Sequence, residues 1–158
     1  MKAVIIMGSR SDLDYAKKIA KKLSEFGVRA IMRVASAHKT PLKVLEILKE
    51  YEEEDVVFIT VAGRSNALSG FVDANTTKPV IAAPPYSDKF AGADIFSSIR
   101  MPSGVAPMLV MEAENVALAA AKILALRYEE LRDAIKSYQG RKRREVEEAD
   151  EVVRSGNG

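Results

Sequence analysis

Four short stretches of the chain are almost unbroken in apolar residues: 3–7 (Ala-Val-Ile-Ile-Met), 28–34, 56–61 (Val-Val-Phe-Ile-Thr-Val) and 79–83 (Pro-Val-Ile-Ala-Ala). Continuous rather than alternating apolar character suits a strand covered on both faces, so each predicts a strand inside a parallel sheet. Between these stretches the pattern changes to helical spacing. Leu13, Ala16, Ile19, Ala20 and Leu23 predict a first helix. Leu42, Leu45 and Leu48 predict a second, with Thr40 as N-cap and Pro41 at the first helical position. Val116, Ala119, Ala120, Ile123 and Leu124 predict a third. The alternation of strand and helix gives the fold class: α/β, a three-layer α/β/α arrangement on a mostly parallel sheet of the flavodoxin-like or Rossmann-like kind, joined by right-handed crossovers. An α/β catalytic domain is expected over 1–126, followed by a C-terminal helix and charged tail over 127–158. In that last helix Leu131, Ile135 and Tyr138 share one face, which, with the alanine-rich helix before it, suits helix contact between subunits.

Composition narrows the class. A length of 158 residues suits one domain with a sizeable core. The apolar fraction is 47%, yet no run approaches the ~20 residues that cross a bilayer. The opening Met1-Lys2-Ala3-Val4-Ile5-Ile6-Met7-Gly8 reads as a first strand rather than a signal peptide, which makes the cytoplasm the expected compartment. The chain has no cysteine, so a disulfide framework, a thiolate nucleophile and a cysteine-ligated metal are all excluded. Lys and Arg total 24 against 22 for Asp and Glu, a balance that gives no overall pull toward nucleic acid or a membrane. The basic run Arg141-Lys142-Arg143-Arg144 is followed at once by Glu145, Glu147, Glu148, Asp150 and Glu151, the pattern of a solvated, salt-bridged helix.

The chemistry concentrates where the strands end, which is where ligands bind in open α/β sheets. Gly8-Ser9-Arg10-Ser11-Asp12 follows the first strand, Ser36-Ala37-His38-Lys39 the second, Gly63-Arg64-Ser65-Asn66 the third and Pro84-Pro85-Tyr86-Ser87-Asp88 the fourth. Gly8 is expected to let the chain turn tightly against a ligand. Ser9, Ser11 and the N–H groups opening the first helix can hold a phosphate or hydroxyls, and Asp12 can accept from a ribose. Ser11 and Asp12 can equally serve as helix caps alone. His38 is the only histidine and the one side-chain type whose ordinary titration falls near neutral pH, so it is the candidate for proton transfer. Lys39 beside it can hold an anion as a point charge. Ser65 and Asn66 offer polar contacts, but no Gly-x-Ser-x-Gly elbow surrounds them, so a serine hydrolase is not supported. Neither a Walker loop, a Gly-x-Gly-x-x-Gly motif nor a histidine–carboxylate metal cluster is present in the sequence. The residues by themselves describe a phosphate-bearing small molecule held at the rim with one imidazole to move a proton. A non-enzymatic nucleotide-binding domain would use the same rim without needing the histidine.

Gly8-Ser9-Arg10-Ser11-Asp12, Ser36-Ala37-His38-Lys39 and Met101-Pro102-Ser103-Gly104, in this order and spacing, resemble the phosphoribosylaminoimidazole carboxylase catalytic family of purine biosynthesis over residues 3–126. The mutase branch of that family, which rearranges N5-carboxyaminoimidazole ribonucleotide, carries Gly-Gly-Ala-Ala-His after the third strand. Here that position reads Gly63-Arg64-Ser65-Asn66-Ala67, without the second histidine. Ala62-Gly63-Arg64-Ser65-Asn66, Pro84-Pro85, Asp94-Ile95-Phe96-Ser97-Ser98 and Arg100-Met101-Pro102-Ser103-Gly104 are similar to the branch that carboxylates 5-aminoimidazole ribonucleotide (AIR) directly with CO2. The resemblance implies a biotin- and ATP-independent AIR carboxylase without cofactor or metal. It implies His38 as the proton carrier, Ser9, Ser36 and Lys39 on the phosphate, and Asp12 on the ribose. Gly8, Ser11 and Ala37 join the substrate site, and Gly63, Arg64 and Ser65 line the pocket for CO2 and the new carboxylate. It also implies that Gly92, Ala93 and Asp94 close over the substrate, and that the chain assembles as a homo-octamer.

Overall fold

The first buried stretch forms β1 (Lys2–Met7), in which every residue from Ala3 to Met7 is at most 2% exposed. In this computed structural model, which describes residues 1–156 and only the backbone at Lys89 and Phe90, α1 (Leu13–Glu25) follows through a 3-10 turn at Arg10–Asp12. Next come β2 (Arg29–Val34), α2 (Pro41–Glu50), β3 (Val56–Val61), α3 (Ala67–Asp73) and β4 (Val80–Ala82). A 3-10 segment over Lys89–Ile95 leads into the single-turn α4 (Phe96–Ile99), then β5 (Met108–Leu109), α5 (Ala113–Leu124) and the long α6 (Leu131–Arg154). The five strands are parallel and lie in the order β2-β1-β3-β4-β5.

The two-residue period of a strand divides β1 between two cores. Ala3, Ile5 and Met7 pack with α1, α5 and the start of α6, whereas Val4 and Ile6 pack with α2 and α3. β3 is split the same way, with Val57, Ile59 and Val61 on the first side and Val56 and Phe58 on the second. Helices on both faces of a parallel sheet are the expected three-layer α/β/α architecture. No helix among the described residues is long and apolar enough to cross a membrane.

Three expectations are corrected. β2 is an edge strand and is not buried on both faces: Met32 is 40% and Val34 51% exposed. In register with Ile5 and Met7, these two side chains lie where the helical layer leaves the sheet open. In α2 the buried face is Val44, Ile47 and Leu48, while Leu42 and Leu45 point to solvent. Leu42 and Leu48 are six residues apart, which places them about 120° from one another around a helix of 3.6 residues per turn, so they cannot share a narrow face. Leu131, Ile135 and Tyr138 do face one way, but they pack inside their own chain, Tyr138 meeting Phe26 edge to face with ring centroids 5.3 Å apart. That face is therefore not free for a neighbouring subunit. Residues 157 and 158 of the predicted tail lie outside the described residues.

Candidate active site

The chain leaves β1 outward to β2 and then returns across it to β3, so the loops after β1 and β3 part company at the carboxyl edge of the sheet. A crevice at such a reversal follows from the topology. It is a cleft of about 730 Å³, and Gly8, Ser9, Ser11, Asp12, Ser36, Ala37, His38, Lys39, Gly63, Arg64 and Ser65 all line it. These eleven residues are thus brought to one place, whereas Asn66, Gly92 and Ala93 do not line the cleft.

The loop after β1 is held by its own polar groups. The Ser9 hydroxyl accepts from the Ser11 N–H at 3.2 Å and from the Ser11 hydroxyl at 3.0 Å, and the Asp12 carboxylate accepts from the Ser9 N–H at 3.1 Å. The cap of the 3-10 turn is therefore Ser9, with Asp12 closing the capping box; Ser11 caps nothing, Asp12 makes no side-chain bond into α1, and all three line the cleft. Burial raises the Asp12 carboxyl above its ordinary range, and the Ser9 N–H offsets part of that rise. Gly8 has no positive φ, and its N–H continues the β ladder onto the Val61 carbonyl at 2.9 Å. An added Cβ there would meet Ala62 Cβ at 3.4 Å, at the near edge of ordinary van der Waals contact.

The loop after β2 is closed on itself. The Ser36 N–H donates to Thr40 Oγ1 at 3.0 Å, the Thr40 N–H to the Ser36 carbonyl at 2.9 Å and the Lys39 N–H to Ser36 Oγ at 3.3 Å. Thr40 thus caps α2 without a side-chain bond into the helix, because its hydroxyl is engaged with Ser36. His38 and Lys39 project from this tied turn, both exposed.

After β3, Gly63 leaves a gap that an added Cβ would narrow to 3.5 Å from Pro85 Cγ. Ser65 has a φ of +37°, a left-handed conformation that costs a non-glycine residue on the order of 1 kcal/mol or more and recurs at functional sites. Asn66, read from the sequence as a polar contact of the rim, turns inward instead. It is 2% exposed, its Oδ1 accepts from the Ser69 N–H at 3.2 Å and its Nδ2 donates to Ser98 Oγ at 2.8 Å. Its own N–H donates to Ser97 Oγ at 2.8 Å. An asparagine just ahead of a helix is a capping signal, and that signal was available in the sequence.

The remaining wall comes from Pro85, Tyr86, Ser87, Asp88 and Asp94, with Ala62 and Leu68 adding apolar surface. Leu68 had no signal in the sequence, because α3 is too short to show a period. Asp94 sits in the 3-10 segment whose closing role was expected, and Gly92 in that segment has a φ of +76°. Lys39, Arg64 and His38 can meet an anion, while Asp12, Asp88 and Asp94 can accept from hydroxyls. Among the described residues no group of three or more His, Asp or Glu side chains is placed to hold a metal ion.

Comparison with known proteins gives a consistent picture. Residues 2–145 match the model of a family described as AIR carboxylase. The chain is 76% identical over 154 residues to a phosphoribosylaminoimidazole carboxylase of Archaeoglobus fulgidus, covering 98% of this chain and 86% of that one. It is 50% identical over 153 residues to a phosphoribosylaminoimidazole carboxylase of Treponema denticola, covering 96% of each. The crystal structure of Treponema denticola PurE superposes with a TM-score of 0.93 at 50% identity, over 96% of this chain and 98% of that one.

Proposed function

The chain belongs to the AIR carboxylase family and is a carboxylase of AIR in purine biosynthesis; we propose that it uses CO2 directly, with His38 carrying the proton. The aminoimidazole ring is electron-rich and enamine-like at the carbon to be carboxylated. That carbon forms the new C–C bond to CO2, and one C=O electron pair moves onto oxygen to give the carboxylate. The former ring proton then sits on a tetrahedral carbon. His38, in its neutral form, takes it and the ring recovers its aromaticity; decarboxylation runs the same steps backward. The electrons come from the ring itself, so the reaction is assigned no cofactor, and ATP and biotin have no step to perform.

The observation that carries this reading is the meeting of His38 with the Ser9–Asp12 loop and the Gly63–Ser65 wall in one cleft. The phosphate is assigned to Ser9, Ser36 and Lys39, with Gly8, Ser11 and Ala37 shaping the surrounding surface, and the ribose to Asp12. The carboxyl end is assigned to Gly63, Arg64 and Ser65, beside Ala62, Leu68 and Pro85, whose apolar surface helps keep water from CO2. Ala67, where the mutase branch has its second histidine, lies in a neighbouring groove and supplies no proton-transfer group. We assign the enzyme to the cytoplasm and to an octameric state.

The test is turnover of AIR with bicarbonate, with and without carbonic anhydrase and in the absence of ATP. Formation of the 4-carboxylated nucleotide that tracks dissolved CO2 is the expected result. Efficient isomerisation of N5-carboxyaminoimidazole ribonucleotide, with no exchange of its carboxyl against labelled CO2, would assign the mutase reaction instead.

A further inference from the structure

We propose that Asn66 is a positioning residue that locks the carboxyl end of the cleft into its working shape. The inference rests on the assignment of Gly63, Arg64 and Ser65 to that end. Asn66 joins three parts of the chain far apart in sequence or direction. Its Oδ1 holds the first turn of α3 through the Ser69 N–H, and its Nδ2 and N–H hold Ser98 and Ser97. Ser97 in turn donates to the Asp94 carbonyl at 2.7 Å, and Asp94 lines the cleft. One buried amide therefore fixes the span between the β3 loop and the segment that carries Asp94.

The residue directly before Asn66 is the left-handed Ser65, and the Ser65 carbonyl accepts from the Ala67 N–H at 2.7 Å. A strained residue keeps its conformation only where its surroundings over-determine it. The three bonds of Asn66 supply that constraint from the C-terminal side. Asn66 makes no hydrogen bond to the Ser9–Asp12 or Ser36–Lys39 loops, so the residues assigned to phosphate and ribose keep their places when it is changed. Freeing it should let Ser65 relax and Asp94 drift, and a displacement of about 1 Å near reacting atoms can cost on the order of 100-fold in rate.

The experiment compares Asn66→Ala, Ser98→Ala and their double variant with the full-length protein, and uses Ser69→Ala as a control. The Ser69 hydroxyl is buried without a hydrogen-bond partner, so its removal breaks no bond of the clamp. Steady-state carboxylation of AIR is measured at varied AIR and varied CO2, per mole of folded protein. Expected are a kcat about 10- to 100-fold lower in Asn66→Ala, a smaller loss in Ser98→Ala and a double variant no worse than Asn66→Ala alone. The KM for AIR should stay within about threefold, and Ser69→Ala should keep full kcat. Ser98→Ala retains the Asn66 bond to α3, so it reports on the clamp even where Asn66→Ala does not fold. An unchanged kcat in folded Asn66→Ala or in Ser98→Ala, or a rise in the KM for AIR with kcat intact, would overturn the inference alone. A wild-type protein inert toward AIR and CO2 would overturn the assigned reaction and, with it, this inference.

Discussion

His38 stands on a turn whose backbone is fixed by Ser36 and Thr40 rather than by its own ring, so changing the ring should leave the turn in place. His38→Asn is therefore expected to fold normally and lose about 100- to 10,000-fold in kcat, the usual contribution of a general acid–base. Unaltered turnover would remove the imidazole from the mechanism. Asp12 makes a prediction in pH. Its carboxyl titrates near 3.8 in the unfolded chain and higher in the folded one, because burial disfavours its charge. As pH rises through that interval the unfolded chain releases the proton first, so the folded state binds more protons and its stability falls. Asp12→Asn keeps an acceptor for the Ser9 N–H and has no charge to bury. Urea unfolding across the acidic range should show the wild-type decline missing in the variant, while calorimetry should show weaker AIR binding. His38, Ser9 and Asp12 were legible in the sequence because a polar side chain at the end of a buried strand has few other places to go. For Asn66 the N-cap position was legible, but the partners Ser97 and Ser98 were not, because they are brought to it only by the fold.

At the scale of elements, β1, β3 and β4 could be read because burial on both faces leaves a nearly unbroken apolar run, whereas β2 is an edge strand. Helix α1 could be read because Ala16, Ile19 and Leu23 recur at its true period and all three are buried. The buried face of α2 is set by angular position rather than by leucine type, and Leu42 is 74% exposed. Elements as short as α3, α4 and β5, of seven, four and two residues, complete too few turns or pleats to produce a period. Helix α6 was legible as a helix, but its docking partner was not, because that contact joins Tyr138 to Phe26 across the whole chain. Tyr138 is also wired to α5: its hydroxyl bonds Glu114 and holds that carboxyl below its usual range, with Lys142 and Lys22 adding attraction. Tyr138→Ala should remove both the edge-to-face contact and the fill of the core. The expected loss is about 3–5 kcal/mol of stability by denaturant titration, the range for deleting a large buried aromatic. A midpoint equal to that of the wild type would mean that α6 is not anchored there.

For the whole molecule, the strand order places the cleft. Sheet order is a non-local property, yet the rule that ligands gather at the carboxyl ends of parallel strands unites the four loops whatever the order. The assembly is harder to read from sequence, and the correction to α6 changes where it must be sought. The Leu131–Ile135–Tyr138 face of α6 and the buried face of α5 are consumed by the chain's own core, so an octamer has to use other apolar surface. Such surface exists: Met32 and Val34 on the open edge strand, Leu42 and Leu45 on α2, and Phe96 and Ile99 beside the cleft are all exposed. Next to them, Ala67, Gly70, Phe71, Met101 and Val105 line a groove of about 500 Å³. Apolar area of this kind is costly to leave in water and is the usual mark of an interface. Light scattering at micromolar concentration is therefore expected to report an octamer, and Leu42→Asp combined with Phe96→Asp should dissociate it while the circular dichroism of the chain is preserved. A wild-type monomer would refute the assembly. An octamer that survives both charges would place its contacts elsewhere and detach the state of assembly from the α2 and α4 surfaces that flank the cleft.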